Sequence, residues 1–412
     1  MFSLERIRDQ FPALKRELNG QPIVYFDGPA GSQVPRCVAE AITQYLYQGT
    51  ANCSGPFASS RDSDEMLRQA RLAVADLVQC EDADEIVFGA NMTTLTFALS
   101  RTLAKTWQSG DEVIVSRLDH DANVTPWVLA AERAGAIVRH IDFQKEDCTL
   151  DQAQFASLLN ERTKLVAFCG ASNATGTINP IQAMCSAARQ SGALTFIDAV
   201  HLAPHRRLNV SEWVCDFLVC SGYKFFGPHV ASLWGRRELL ERLQPDKLRP
   251  APNTLPGKWM TGTQNHEGIA GLLAAIEYLA NLSEAPVSVP RKQRLDAAFE
   301  LIASHEATLS QRMLAGLQTL SGFRVWGIAD MNRLGERVPT FSLTHAKWPA
   351  KELARRLSDA GVFCWGGHHY ALPFTTSAGL EPEGTLRLGA LHYNSVAEVD
   401  RCLHVLEAGV LR

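Results

Sequence analysis

A lysine set within apolar sequence is the first residue here that asks for a chemical explanation. Cys220-Ser221-Gly222-Tyr223-Lys224-Phe225-Phe226-Gly227-Pro228 follows one apolar run and precedes another. A lysine in such a setting is costly unless it is paired, neutralised or used covalently. The S-x-x-K spacing alone fits an ordinary surface lysine. The context 26 residues earlier changes the reading, because the run Leu194-Thr195-Phe196-Ile197 ends in Asp198, followed by Ala199-Val200-His201. An aspartate at the carboxyl end of a strand points into the ligand crevice of a doubly wound sheet. A lysine amine and a carboxylate in one crevice are what pyridoxal phosphate (PLP) requires. The amine forms an imine, and the carboxylate keeps the pyridine nitrogen protonated so that the ring accepts electrons. Once released, the same amine is a base for the α-proton of an amino acid.

Two further segments lead to the same crevice. Val87-Phe88-Gly89-Ala90-Asn91-Met92-Thr93-Thr94 runs from a strand through a small, hydroxyl-rich turn into a helix. That is the shape of a phosphate cradle at a helix N-terminus, with Thr93 and Thr94 at its lip; it is also what a plain helix cap looks like. Leu118-Asp119-His120-Asp121-Ala122-Asn123 follows another strand. His120 there is placed to lie on a flat cofactor ring, though a loop histidine is commonly a solvated side chain. The ten cysteines (Cys37, Cys53, Cys80, Cys148, Cys169, Cys185, Cys215, Cys220, Cys364, Cys402) form no C-x-x-C pair and no cluster with histidine at ligand spacing. They read as buried free thiols in a reducing cytoplasm, with no metal site.

The elements that must position these residues alternate between strand and helix. Strands are predicted at Glu85–Phe88, Glu112–Ser116, Ile137–Ile141, Leu165–Cys169, Leu194–Ile197, Phe217–Cys220 and Val230–Trp234, with helices such as Pro126–Ala134 and Ile181–Gln190 between them. The pattern predicts a mainly parallel α/β sheet covered by helices on both faces. Helices follow at Gly268–Leu282 and Arg291–Leu320. Then comes a second unit with strands Val338–Leu343 and Val362–Trp365 and helices Pro349–Ala360 and Val396–Val410. The first 20 residues, with Phe2, Leu4, Ile7, Phe11 and Leu14 apolar, read as an amphipathic helix ending near Asn19-Gly20. A break near Glu284–Pro290 divides a large domain (residues 20–286) from a small one (residues 1–19 and 287–412).

The chain of 412 residues is 46% hydrophobic, enough for a substantial core, and its net charge of −4 is spread without basic blocks. That argues against nucleic acid and a membrane surface as partners and for a small molecule. The opening Met1-Phe2-Ser3-Leu4-Glu5-Arg6 is polar and does not read as a signal peptide, and no stretch has the apolar length of a membrane span.

From RIRDQFPALKRELNGQPIVYFDGPAGSQVP to EGTLRLGALHYNSVAEVDRCL the chain resembles the class V aminotransferases of fold type I, and within them the group II cysteine desulfurase-like proteins. The resemblance implies PLP on Lys224, with Asp198 as the partner of the pyridinium nitrogen and His120 stacked on the ring and passing protons. It implies that Asn173, in Ser172-Asn173-Ala174-Thr175-Gly176-Thr177, bonds the ring's phenolic oxygen, and that Thr93, Ser221 and Tyr223 hold the phosphate. Tyr223 stands where desulfurases usually have His, and His201 where a Gln is usual. Thr263, in Thr261-Gly262-Thr263-Gln264-Asn265, would reach the phosphate of a neighbouring subunit, which implies a homodimer with shared active sites. Arg387 would bind the carboxylate of an amino-acid substrate.

The match departs from the family at Trp365-Gly366-Gly367-His368-His369-Tyr370-Ala371-Leu372-Pro373. Group II desulfurases carry the persulfide-forming cysteine where Tyr370 stands, and an arginine where Trp365 stands. A phenol forms no persulfide, and Cys364 would serve only if its strand aimed it at the crevice. The expectation is therefore a seven-stranded fold type I PLP enzyme, a lyase or transferase, that cleaves a Cβ bond by β-elimination. Transamination is the alternative, and epimerisation or decarboxylative carbon–carbon bond formation use the same carbanion. A non-catalytic scaffold would expect decay at Lys224, Asp198, His120 and Asn173, which all stand in place. Trp365 and Tyr370 suggest an aromatic wall facing the substrate.

Overall fold

The computed structural model describes residues 3–411, with the side chains of residues 409–411 outside the description, as is the Phe2 of the expected first helix. Seven strands form the main sheet: β1 (Ile86–Gly89), β2 (Glu112–Ser116), β3 (Ile137–Ile141), β4 (Thr163–Cys169), β5 (Leu194–Asp198), β6 (Phe217–Ser221) and β7 (Ala231–Gly235). Their order across the sheet is β1-β7-β6-β5-β4-β2-β3. β3, β2, β4, β5 and β6 run parallel, while β7 is antiparallel to both its neighbours, so the sheet is mixed though mainly parallel. The predicted strand limits shift by a residue or two. The first strand starts at Ile86 because Ala83–Glu85 closes a turn capped by the Asp82 carboxylate.

Successive residues of a strand point to opposite faces, and this divides the core in two. Ile86, Phe88, Ile114, Val166, Phe168, Ile197 and Leu218 pack into one cluster. Their neighbours Val87, Val113, Val115, Leu165, Ala167, Phe196, Phe217 and Val219 pack into another on the far side. Both faces are thus apolar, as a sheet covered on both sides by helices requires. The helix Met92–Ala104 is capped by Asn91, and His266–Asn281 by Asn265, each side chain accepting an amide of the first turn. The latter packs closely on Arg36–Tyr47, where a Cβ on Gly271 would lie 2.8 Å from Ile42. That first helix, like Ala58–Val78, has no counterpart in the sequence reading.

The second unit holds an antiparallel sheet of β8 (Phe323–Trp326), β9 (Thr340–His345), β10 (Trp365–Gly367) and β11 (Thr385–Gly389), in the order β8-β9-β11-β10. Its core gathers the C-terminal half of the long helix Arg291–Thr319, the helix Ala350–Asp359 and the last helix, Val396–Leu411. Two expectations are corrected here. The run Val362–Trp365 is split, because Val362–Phe363 pairs in parallel with Val24–Tyr25 while Trp365 enters β10. The opening helix spans only Leu4–Asp9 and gives way to a 3₁₀ turn at Pro12–Lys15, since proline supplies no amide to continue it. Asn19 and Gly20, at φ +53° and +72°, then close a hairpin between Glu17–Leu18 and Gln21–Pro22.

Candidate active site

Strand ends build the site. The carboxyl ends of β1, β2, β4, β5 and β6 deliver Thr93, His120, Asn173, Asp198 and the Ser221–Lys224 turn to one cavity, which Ala122, Cys169 and His201 also line. It opens into an outer cavity walled by Pro29, Trp365, His369, Tyr370 and Arg387. Short residues of the first loop, Pro29 and Ala30, reach this wall because Gly389 of β11 leaves room: a Cβ there would fall 2.1 Å from the Pro29 ring.

Lys224 is 8% exposed and donates from Nζ to the carbonyl of Pro29. Burial, assisted by the positive charge of Arg387 and opposed by Asp198, lowers its pKa to about 7. An amine so placed is about half neutral at pH 7, against almost none for an ordinary lysine, and its neutral fraction can act as a nucleophile or base. Asp198 Oδ1 accepts the Val200 amide at 2.8 Å, and burial raises its carboxyl to about 6, against the pull of that hydrogen bond and of Lys224.

His120 caps its own turn, Nδ1 accepting the Ala122 amide at 3.0 Å, so a neutral ring carries its proton on Nε2. Burial, then Lys224 and Arg387, push its pKa down to about 4. A neutral imidazole of this kind can face an aromatic ring without bringing a second cation. Asn173 Nδ2 donates to the His369 carbonyl at 2.9 Å, and its buried Oδ1 has no partner among the described residues. Arg387, 5% exposed, gives one hydrogen bond from Nη1 to the Asn173 carbonyl and makes no ion pair among the described residues. Burial lowers its pKa to about 10, so it stays charged at neutral pH. Ser221 Oγ accepts the Met92 amide at 3.3 Å, joining the β6 turn to the helix N-terminus. Tyr223 stacks on His229 at 4.9 Å. His201 Nε2 meets the Thr340 hydroxyl at 3.0 Å, and burial, followed by His205, holds it neutral.

Two predicted residues stand apart from this cavity. Thr94 turns away because it is the third residue of its helix: its amide is taken by the Asn91 cap and its hydroxyl donates back to the Asn91 carbonyl. It lines a different pocket, together with Thr263. Thr263 is exposed and does not reach the Lys224 cavity of its own chain.

The thiols also separate. Cys364 lies against the core of the second unit, and burial pushes its pKa to about 12. Cys169, which reading the sequence for chemistry passed over as a packed residue, does line the cavity. Its pKa is raised well above the usual value by burial and by Asp119 and Asp198, so it is held as a thiol. Also missed were Pro29, whose carbonyl takes the lysine amine, and Lys351 at the outer wall. Lys351 belongs to no motif, and Pro29, though it lies in the opening stretch that carries the resemblance, has no reactive side chain to mark it.

The donor set fits PLP. A near-neutral buried amine, a buried carboxylate, a neutral imidazole, an orphaned amide oxygen and a helix N-terminus with hydroxyls surround a single cavity. Comparison with known proteins agrees. Residues 24–402 match the family model for class-V aminotransferases. A cysteine desulfurase from Cronobacter sakazakii is 31% identical, across 100% of this chain and 98% of its own length. Another, from Pectobacterium atrosepticum, is 30% identical with 98% of each chain covered. Among solved structures, the apo cysteine desulfurase of Thermococcus onnurineus has a TM-score of 0.88 at 26% identity, covering 99% of this chain and 98% of that one. An Escherichia coli cysteine desulfurase in its S-sulfonic acid form has a TM-score of 0.85 at 25% identity, covering 100% and 99%. The chain belongs to the class-V aminotransferase family and is a PLP-dependent enzyme of fold type I, similar to the cysteine desulfurases.

Proposed function

We propose that this enzyme cleaves the bond from Cβ to a leaving group, foremost carbon–sulfur, in a cysteine-like or β-substituted amino acid, without a persulfide on the protein. The observation that carries the reading is at the outer wall. The loop that faces the site presents the Tyr370 phenol, 68% exposed, while Cys364 is half-buried against the core of the second unit and lines neither cavity. Cys169 lies within the cavity but is held in its poorly nucleophilic thiol form.

In this reading the residues divide the labour. Lys224 carries the cofactor and, once released, takes the α-proton on its amine. Asp198 holds the proton on the ring nitrogen, His120 and His201 bound the ring, and Asn173 meets its phenolic oxygen. Thr93, Ser221 and Tyr223 hold the phosphate, joined by Thr263 of a second copy in a homodimer, with Thr94 supporting the helix start. Arg387 takes the substrate carboxylate, and Trp365 and Tyr370 close over its side chain. PLP, when bound, supplies the electron sink that makes loss of the α-proton feasible. The β-substituent leaves with its bonding electron pair, and water releases pyruvate and ammonium. The free cysteines and the even charge distribution support a cytoplasmic setting.

The test is to incubate the loaded enzyme with a panel of amino acids and identify the products, with Lys224→Ala as control. Pyruvate and a free thiol or sulfide are expected, and Lys224→Ala yields neither. Alanine together with a persulfide trapped on Cys169 or Cys364 overturns the reading in favour of desulfuration through a thiol. A keto acid that keeps the side chain intact overturns it in favour of transamination.

A further inference from the structure

The outer cavity holds one cation more than the chemistry above uses. Lys351 lines its wall with Trp365, Tyr370, Pro382 and Arg387, and no Asp or Glu is among the lining residues. Lys351 is the second residue of the helix Ala350–Asp359. That helix start is pressed onto β10, where a Cβ on Gly366 would come within 2.6 Å of the Ala350 carbonyl and 2.8 Å of the Lys351 Cα. Only glycine allows the approach, so the base of the lysine is fixed against the cavity wall while its side chain is exposed.

The charge is also uncompensated. The next residue, Glu352, is committed to Arg355 and Arg356, and Lys351 makes no ion pair among the described residues. A lysine in the first turn adds to the positive end of its helix, an arrangement that costs stability unless an anion answers it. Trp365 lies directly opposite Arg387 across β10 and β11. Residues so paired project to the same face of a sheet. The indole, 54% exposed, therefore stands beside the buried guanidinium, on the wall that also carries Lys351.

We propose that the substrate's β-substituent ends in a carboxylate, which Lys351 binds at the outer wall while Arg387 binds the α-carboxylate and Trp365 and Tyr370 cover the stem between them. A carboxylate-free cavity lined by cations concentrates positive potential and selects a ligand with two anionic ends. The inference rests on the assignment of Arg387 to the α-carboxylate.

The experiment follows the visible spectrum of the loaded enzyme as S-carboxymethyl-L-cysteine or its neutral counterpart S-methyl-L-cysteine is added. The acidic ligand is expected to bind more tightly by about fivefold, the worth of one exposed ion pair. Lys351→Ala is expected to erase that difference and Lys351→Glu to invert it. Raising the salt concentration should shrink the preference in the unaltered enzyme. Equal affinities in the unaltered enzyme, or parallel losses for both ligands in Lys351→Ala, overturn the inference and leave the assignment of the site intact. A spectrum that answers to neither ligand nor to any other amino acid overturns both.

Discussion

Tyr370 lays its phenol ring on the imidazole of His120, centroids 5.5 Å apart and planes 12° from parallel, while its own carbonyl accepts the Asp121 amide at 2.7 Å. The loop that bears it is thus anchored to the turn that bears His120. His369 and Tyr370 both take positive φ, +54° and +55°, to make the contact. Such a pair is worth about 0.5–1.5 kcal/mol beyond the area it covers. Tyr370→Phe keeps the stack and is expected to retain near-normal kinetics. Tyr370→Ala is expected to raise KM by about 2- to 12-fold, the same energy expressed as a ratio. Steady-state kinetics with one β-substituted amino acid decides it, and a kcat collapse in Tyr370→Phe would show that the hydroxyl itself takes part.

Lys224 predicts a pH dependence for cofactor loading. Only the neutral amine attacks a carbonyl, and its pKa is lowered to about 7 by burial and by Arg387. Loading is expected to accelerate between about pH 6 and 8 and then level off. Growth of the imine absorbance after PLP is added to the unloaded protein measures the rate. A rate still climbing at pH 10 would mean an ordinary lysine. Because the folded pKa lies below the unfolded one, this group also makes the unloaded protein more stable as pH rises from about 7 toward 10.

Asp198 predicts an acid limit. Its carboxyl is raised to about 6 by burial, so below that pH it is protonated and no longer draws a proton onto a ring nitrogen. PLP affinity is expected to fall below pH 6 in the unaltered protein, whereas in Asp198→Asn it should be weaker throughout and flat across that range. The loss in turnover is expected to be at least about 30-fold, the lower bound for breaking a buried charged hydrogen bond. Spectral titration with PLP at several pH values tests the first part, and thermal melting confirms that the variant folds.

Gly389 predicts a structural effect on the site. A Cβ there would lie 2.1 Å from the ring of Pro29, whose carbonyl accepts the Lys224 amine. Gly389→Ala is expected to lower the unfolding free energy by about 1–3 kcal/mol and to speed loss of bound cofactor. Gly335→Ala, where a Cβ meets nothing within 4 Å, is the control and should change neither. Urea denaturation and the decay of the imine absorbance on dilution read both effects.

How much of this was legible beforehand depends on the range over which each feature is encoded. The seven strands of the main sheet and the positions of Lys224, Asp198 and His120 at or just beyond strand ends follow from local periodicity, because a strand's apolar run marks where it stops, whereas Asn173 was pointed to only by the family resemblance. The limits moved by a residue or two where turns such as Ala83–Glu85 intervened. The split of Val362–Trp365 was not readable, since one half pairs with Val24–Tyr25 from the far end of the chain.

The amino-acid sequence by itself determined the sheet, its two apolar faces and the buried amine and carboxylate, all expressed within a few residues of chain. Only the tertiary structure decided that Thr94 faces away and that Cys169 rather than Cys364 lines the site. It alone placed Trp365 beside Arg387 and Tyr370 on His120. These relationships join residues from remote parts of the chain, and each was chosen by which strand pairs with which and where each side chain finds room, quantities that no local run of residues contains.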